Sequence, residues 1–198
     1  LDNPTDPSFQ NLNPSLFLPN FGAGIYARTK NWFVGLSSPL LITNALRKRT
    51  PNEPMNLPIA QQYRHYYFSA GGVFELSPSL KFRPSILVKN VGLFMDRNEL
   101  NGIAAPTEFN VDLGFLFNDR IWFGTSFRSA IEVINGSSSY DSVDFWFSMR
   151  MNNGFRFGLA YDYTLTRIQA VGIGSYEIML GYDLCRPNVD KVEHVRYF

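Results

Sequence analysis

Polar and apolar residues alternate along most of this chain with a period of two, which is the period of a β-strand. The pattern is cleanest over residues 175–184. There Tyr176, Ile178, Leu180, Tyr182 and Leu184 point one way, and Ser175, Glu177, Met179, Gly181 and Asp183 the other. Residues 154–164 repeat it, with Phe155, Phe157, Leu159, Tyr161 and Tyr163 set against Gly154, Arg156, Gly158, Ala160, Asp162 and Thr164. So do Val143, Phe145, Phe147, Met149 and Met151, and again Phe109, Val111, Leu113, Phe115 and Phe117. Residues 65–75 and 80–89 alternate less cleanly. Pro84 lies inside the second of these runs, and its missing N–H predicts a bulge there. Two shorter strands, 21–28 and 31–38, open the series, and about nine strands are expected in all.

The connections sharpen the picture. Four are tight: Thr29-Lys30, Ser77-Pro78-Ser79, Asn118-Asp119 and Asn152-Asn153-Gly154, all residues whose backbones favour turns. Between them lie longer ones, over 39–63, 91–106, 132–141 and 165–174. Outer-membrane barrels alternate short periplasmic turns with long outer loops in this way. Pro39 suits the first position of a short helix over 39–46. The chain thus divides into an irregular segment over 1–20, barrel strands over 21–184 and a C-terminal tail over 185–198, expected on the periplasmic side.

Period two alone does not separate a soluble sandwich from a membrane barrel. In a sandwich the apolar face is the core; in a barrel it meets lipid, and the other face lines the lumen. Three features favour an all-β, antiparallel transmembrane outer-membrane β-barrel. Several strands run to about ten residues, enough to cross a bilayer when tilted. The polar face interleaves glycine with charges of both signs. Tyrosine and tryptophan recur near strand ends (Trp32, Tyr66, Trp122, Trp146, Tyr163, Tyr176), as interfacial girdles do. An odd strand number is awkward for a closed bacterial barrel. The Pro/Asn/Asp-rich start at Leu1 reads as a processed or cut end, so the expectation is a C-terminal part of a longer protein that does not fold alone.

Composition changes the picture only in part. Charged residues make up 18% of the 198 positions, against about 25% in ordinary soluble domains. The net charge of +1 leaves no basic footprint for nucleic acid. No apolar run approaches the length of a transmembrane helix. One cysteine, Cys185, forms no intrachain disulfide, and two histidines, His65 and His194, stand far apart. No metalloprotease, serine-hydrolase or paired-cysteine zinc spacing occurs. The Gly22/Gly24 and Gly172/Gly174 pairs open no helix that could hold phosphate. Asn135-Gly136-Ser137 is formally a glycosylation sequon. No enzymatic activity, cofactor or metal is expected. The remaining candidates are the charges of the polar face: Glu108, Asp112, Arg128, Asp144, Arg150, Arg156, Asp162 and Glu177 would line the lumen. They form either a salt-bridge network filling the interior or a polar path or peptide-docking surface.

Five segments carry a family resemblance: "PNFGAGIYARTKNWFVGLSSPLL" (19–41), "RHYYFSAGGVFELSPSLKFRPSILVK" (64–89), "EFNVDLGFLFNDRIWFGTSFRS" (108–129), "GFRFGLAYDYTL" (154–165) and "SYEIMLGYDL" (175–184). In order, and with the closing "RYF", they resemble the PorP/SprF family of type IX secretion membrane proteins from Bacteroidetes. The resemblance implies a non-enzymatic outer-membrane barrel that receives or anchors the C-terminal sorting domain of secreted or surface proteins, in gliding motility systems among others. It implies as partners that cargo, other type IX secretion components and outer-membrane lipid. It carries no catalytic residues. A diffusion channel or small-hydrophobe transporter, and a soluble β-sandwich binding module, are the competing readings.

Overall fold

The computed structural model describes residues 17–45, 61–94, 107–131, 138–166, 172 and 174–183. Cys185, His194, the Asn135 sequon and the tail over 185–198 lie outside the described residues.

Twelve strands follow in chain order: β1 (Ala23–Arg28), β2 (Trp32–Leu40), β3 (Asn44–Ala45), β4 (Gln61–Gln62), β5 (His65–Gly72), β6 (Phe74–Ser77), β7 (Leu80–Val91), β8 (Thr107–Phe117), β9 (Ile121–Ile131), β10 (Ser138–Arg150), β11 (Phe155–Thr164) and β12 (Gly174–Tyr182). Among the described residues, ten of them form one antiparallel sheet in the order β1-β2-β5-β7-β8-β9-β10-β11-β12, with β6 also paired to β7. Each alternating run of the sequence therefore becomes one strand beside its chain neighbour. The run 65–75 is the exception: it breaks at Val73, whose N–H turns aside to the Asn31 carbonyl at 2.7 Å.

The tight turns form where turn residues stand. Asn118 and Asp119 both take left-handed backbones, φ 49° and 54°, and close the β8–β9 hairpin with the primed twist that strands favour. The Thr29 hydroxyl accepts the N–H groups of Asn31 and Trp32 at 3.2 Å. Gly154, at φ 88°, closes β10 onto β11.

Two local expectations are corrected. Residues 39–45 are not helical: β2 continues through Pro39 to Leu40, and Asn44–Ala45 pairs with Gln61–Gln62. Pro39 falls at the irregularity between Ser37 and Leu40, where its missing donor costs no ladder bond. The Asn20 side chain then takes up the backbone beyond it, accepting from Leu41 at 3.1 Å and Ile42 at 3.2 Å and donating to the Ile42 carbonyl at 2.8 Å. Pro84 makes no bulge. It sits in register opposite Leu113 of β8. On its other side the β5 pairing stops at Gly71–Ser85 and resumes in β6 at Phe74–Phe82. The interruption thus falls on the partner strand, facing the residue that has no N–H to give.

Pairing fixes which residues share a face. One row runs Ile25, Leu36, Phe68, Val88, Phe109; another runs Phe82, Phe115, Phe123, Phe147, Leu159, Ile178. From β1 to β12, no paired residue on this face is charged. Nor is the face covered: Ile25, Phe145, Ile178 and Leu180 are all more than half exposed. Among the described residues only Val73, Leu116 and Ala130 are buried hydrophobics. A soluble domain buries a sheet's apolar face against a second layer; here the described residues place none.

The turns are staggered. The last pair before the first turn, Arg28–Phe33, aligns through Gly71 and Ser85 with Asp112, in the middle of β8. The Arg150–Arg156 pair at the last turn lies one step beyond Met149, which aligns through Ile121 with Phe117, the end of β8. Leu80 at the β6–β7 turn aligns with the same Phe117 and Ile121, so the stagger lies between the first turn and the later ones, which are level.

Candidate functional site

All eight charges singled out in the sequence fall on the opposite face, together with Lys81, Arg83, Lys89 and Asp183. Parity places them there: each lies an odd number of residues from the apolar positions of its own strand. Cross-strand neighbours then pair opposite signs. Lys89 meets Glu108 at 3.0 Å between β7 and β8. Arg83 lies 3.6 Å from Asp112, whose other carboxylate oxygen accepts from the Ser126 hydroxyl at 2.8 Å. Arg128 approaches Asp144 at 3.8 Å, and Ser142 donates to that same carboxylate at 3.2 Å.

Some pairings oppose like charges. Asp144 stands directly across from Asp162, and Arg150 directly across from Arg156. Like charges opposite one another destabilise a sheet. The arginines are reconciled by Asp183, which takes Arg156 at 2.8 Å and Arg150 at 3.7 Å. Asp162 is paired across β12 with Ser175, and Glu177 with Ala160, so no cation opposes either within the ladder.

This face also carries bulk. Trp146 lies across Gly124 and Gly114, its row-mates on β9 and β8. A Cβ at Gly124 would stand 2.6 Å from the Trp146 ring and 2.5 Å from the Leu113 carbonyl oxygen. Arg83 packs over the Trp122 ring at 4.9 Å, and Leu116, opposite Trp122, is fully buried. Of the aromatic residues expected to form a girdle, Trp122 and Trp146 are therefore on the charged face. Trp32, Tyr66, Tyr163 and Tyr176 are on the apolar one.

Sequence reading left Lys81, Arg83, Lys89, Asp119 and Asp183 out of the charged set. Their signal was present, since the β7 cations alternate with Leu80, Phe82, Ile86 and Val88. Lys81 reaches Asp119 at 2.6 Å across two hairpins, a contact that register alone reveals. His65 is held by its own neighbourhood, with Nδ1 3.0 Å from the Tyr63 carbonyl. Among the described residues no three His, Cys, Asp or Glu side chains converge to hold a metal, and no helix is long and apolar enough to cross a membrane, which leaves crossing by strands open.

The described residues thus form an all-β antiparallel sheet with one uncharged, exposed face and one face that carries the charges. The chain belongs to the PorP/SprF family of type IX secretion system membrane proteins, whose family model matches residues 1–182. The family is not known to be enzymatic. Neither a curated protein nor a solved structure matches the chain.

Proposed function

We propose that this sheet is the wall of an outer-membrane β-barrel that receives or retains the C-terminal sorting domain of a protein secreted by the type IX system. The observation that carries the reading is the uncharged face running unbroken from β1 to β12. A lysine or arginine at the bilayer midplane of such a barrel costs about 2–4 kcal/mol, and none is met on this face. Two further features support it. Strands β7 to β12 have the length of tilted bilayer crossings. The offset between the first turn and the later ones is a stagger of the kind that closing a tilted sheet requires.

On this reading Glu108, Asp112, Arg128, Asp144, Arg150, Arg156, Asp162 and Glu177 line the interior. Ion pairs to neighbouring strands and to Asp183 meet most of them. Type IX membership makes other secretion components natural partners.

The test is affinity purification of the full-length protein from native membranes in mild detergent, with mass spectrometry of its companions. One large secreted protein, held through its C-terminal domain, is the expected companion. A barrel recovered alone, with a large steady conductance in planar bilayers, would overturn the receptor reading in favour of a channel.

A further inference from the structure

The later turns stand at one level, and arginine gathers there. Arg120 ends the Asn118-Asp119 turn, its N–H donating to the Phe117 carbonyl at 3.1 Å. Its own carbonyl accepts the Arg150 N–H at 2.9 Å, and Arg150 pairs directly with Arg156. Three arginines thus stand side by side on three successive chain segments, where neighbours lie about 5 Å apart. The Asp183 N–H donates to the Gly154 carbonyl at 2.8 Å, and its carboxylate takes Arg156 at 2.8 Å.

The carboxylates at this level do not match the row. Asp119, the chain neighbour of Arg120, is bound to Lys81 at 2.6 Å, and Glu75 also stands opposite Lys81. Asp183 reaches Arg150 only at 3.7 Å. Arg120 is exposed, and no ion pair meets it among the described residues. Between the two hairpin ends lies an open recess of about 640 Å³. Arg120 and Arg150 line it, with Asn118 and Asn152 and with Met149 and Met151. Like charges on neighbouring strands destabilise a sheet, so the row does nothing for the fold by itself. An anion set against it turns the repulsion into attraction, and guanidinium forks match carboxylates.

We propose that this recess docks an acidic segment of a partner protein, with carboxylates on Arg120 and Arg150 and apolar side chains on Met149 and Met151. The make-up of the recess selects the partner. A free phosphate needs the guanidiniums alone. A peptide also uses amides, which meet its backbone, and methionine, which adapts to varied side chains. The residues after Asp183 do not bring the charge themselves: Arg186, Lys191 and Arg196 outnumber Asp190 and Glu193. On the barrel reading the short turns face the periplasm, and the partner is a periplasmic protein. The inference is separate from what the barrel receives or retains.

The test uses the full-length protein, folded in mild detergent, and a fluorescently labelled peptide in which glutamate alternates with leucine. Anisotropy reads the binding. The peptide binds at low ionic strength, more weakly as salt rises, and its glutamine counterpart does not bind. Arg120→Gln combined with Arg150→Gln lowers the affinity about tenfold. Arg28→Gln, which removes a cation from the same face at the offset first turn, leaves it unchanged. Heat-modifiable migration reports that each variant is folded. No binding to the folded wild type, equal binding of the glutamine peptide, or an affinity untouched by the double substitution would each overturn the inference. So would an equal loss in Arg28→Gln, or displacement of the peptide by inorganic phosphate as readily as by unlabelled peptide, which would mark a simple anion site. None of these outcomes bears on the sorting-domain reading, which the companions of the purified protein decide.

Discussion

Trp146 shows how much a single residue can settle. Its ring fits against the wall only because two successive row-mates have no side chain. Gly124→Val would push into both the ring and the Leu113 carbonyl, and overpacking of this kind costs about 1–3 kcal/mol. A lower unfolding midpoint in detergent, read by heat-modifiable migration, is the expected result; an unchanged midpoint would show that the ring moves freely. Asp183 makes the opposite case. It bridges two opposed arginines, yet Arg150 is 60% and Arg156 44% exposed. Asp183→Ala should therefore cost only about 0.5 kcal/mol, as exposed pairs do. Loss of folding in that variant would mean that the two arginines are far less solvated than the geometry indicates.

At the scale of the element, alternation made the strands legible and turn residues made the hairpins legible. Asn118-Asp119 names its own turn, because few other residues accept two left-handed positions in succession. What failed was local inference from proline. Taken by its own strand alone, Pro39 suggests a helix start and Pro84 a bulge, but a missing N–H matters only to the neighbour that would have accepted it. The interruptions that matter, in the β2–β5 pairing beside Pro39 and between β5 and β6 opposite Pro84, are visible only once strands are paired. The charged set was legible by parity, while the pairing of Lys81 with Asp119 was not, since it depends on register between hairpins. Parity also supplies a sharp contrast on β8. Val111 and Asn110 are adjacent in the chain but face opposite sides. Val111→Lys should destabilise the protein in bilayers by about 2–4 kcal/mol, and Asn110→Lys by far less. Equal losses in urea unfolding from lipid vesicles would contradict the assignment of faces.

The whole molecule presents an uncharged surface that nothing among the described residues covers. Soluble monomers rarely expose contiguous apolar patches beyond about 300–600 Å², and the rows of phenylalanine, leucine and isoleucine here run across the full sheet. This chain should accordingly stay dispersed only in detergent or lipid and sediment as large aggregates without them. A monodisperse monomer in plain buffer, seen by analytical ultracentrifugation, would revive the soluble sandwich. The placement of charge on one face of the sheet fits the membrane protein that family membership shows.

The path from β1 to β12 has an odd number of strands, each antiparallel to the next. Its first and last members consequently run in the same direction. Joined edge to edge they would make a parallel seam, the one parallel pair in an otherwise antiparallel wall. Closure that keeps every pair antiparallel instead takes an odd number of further strands between them. The one beside Gly174–Tyr182 must run opposite to it, and so must the one beside Ala23–Arg28.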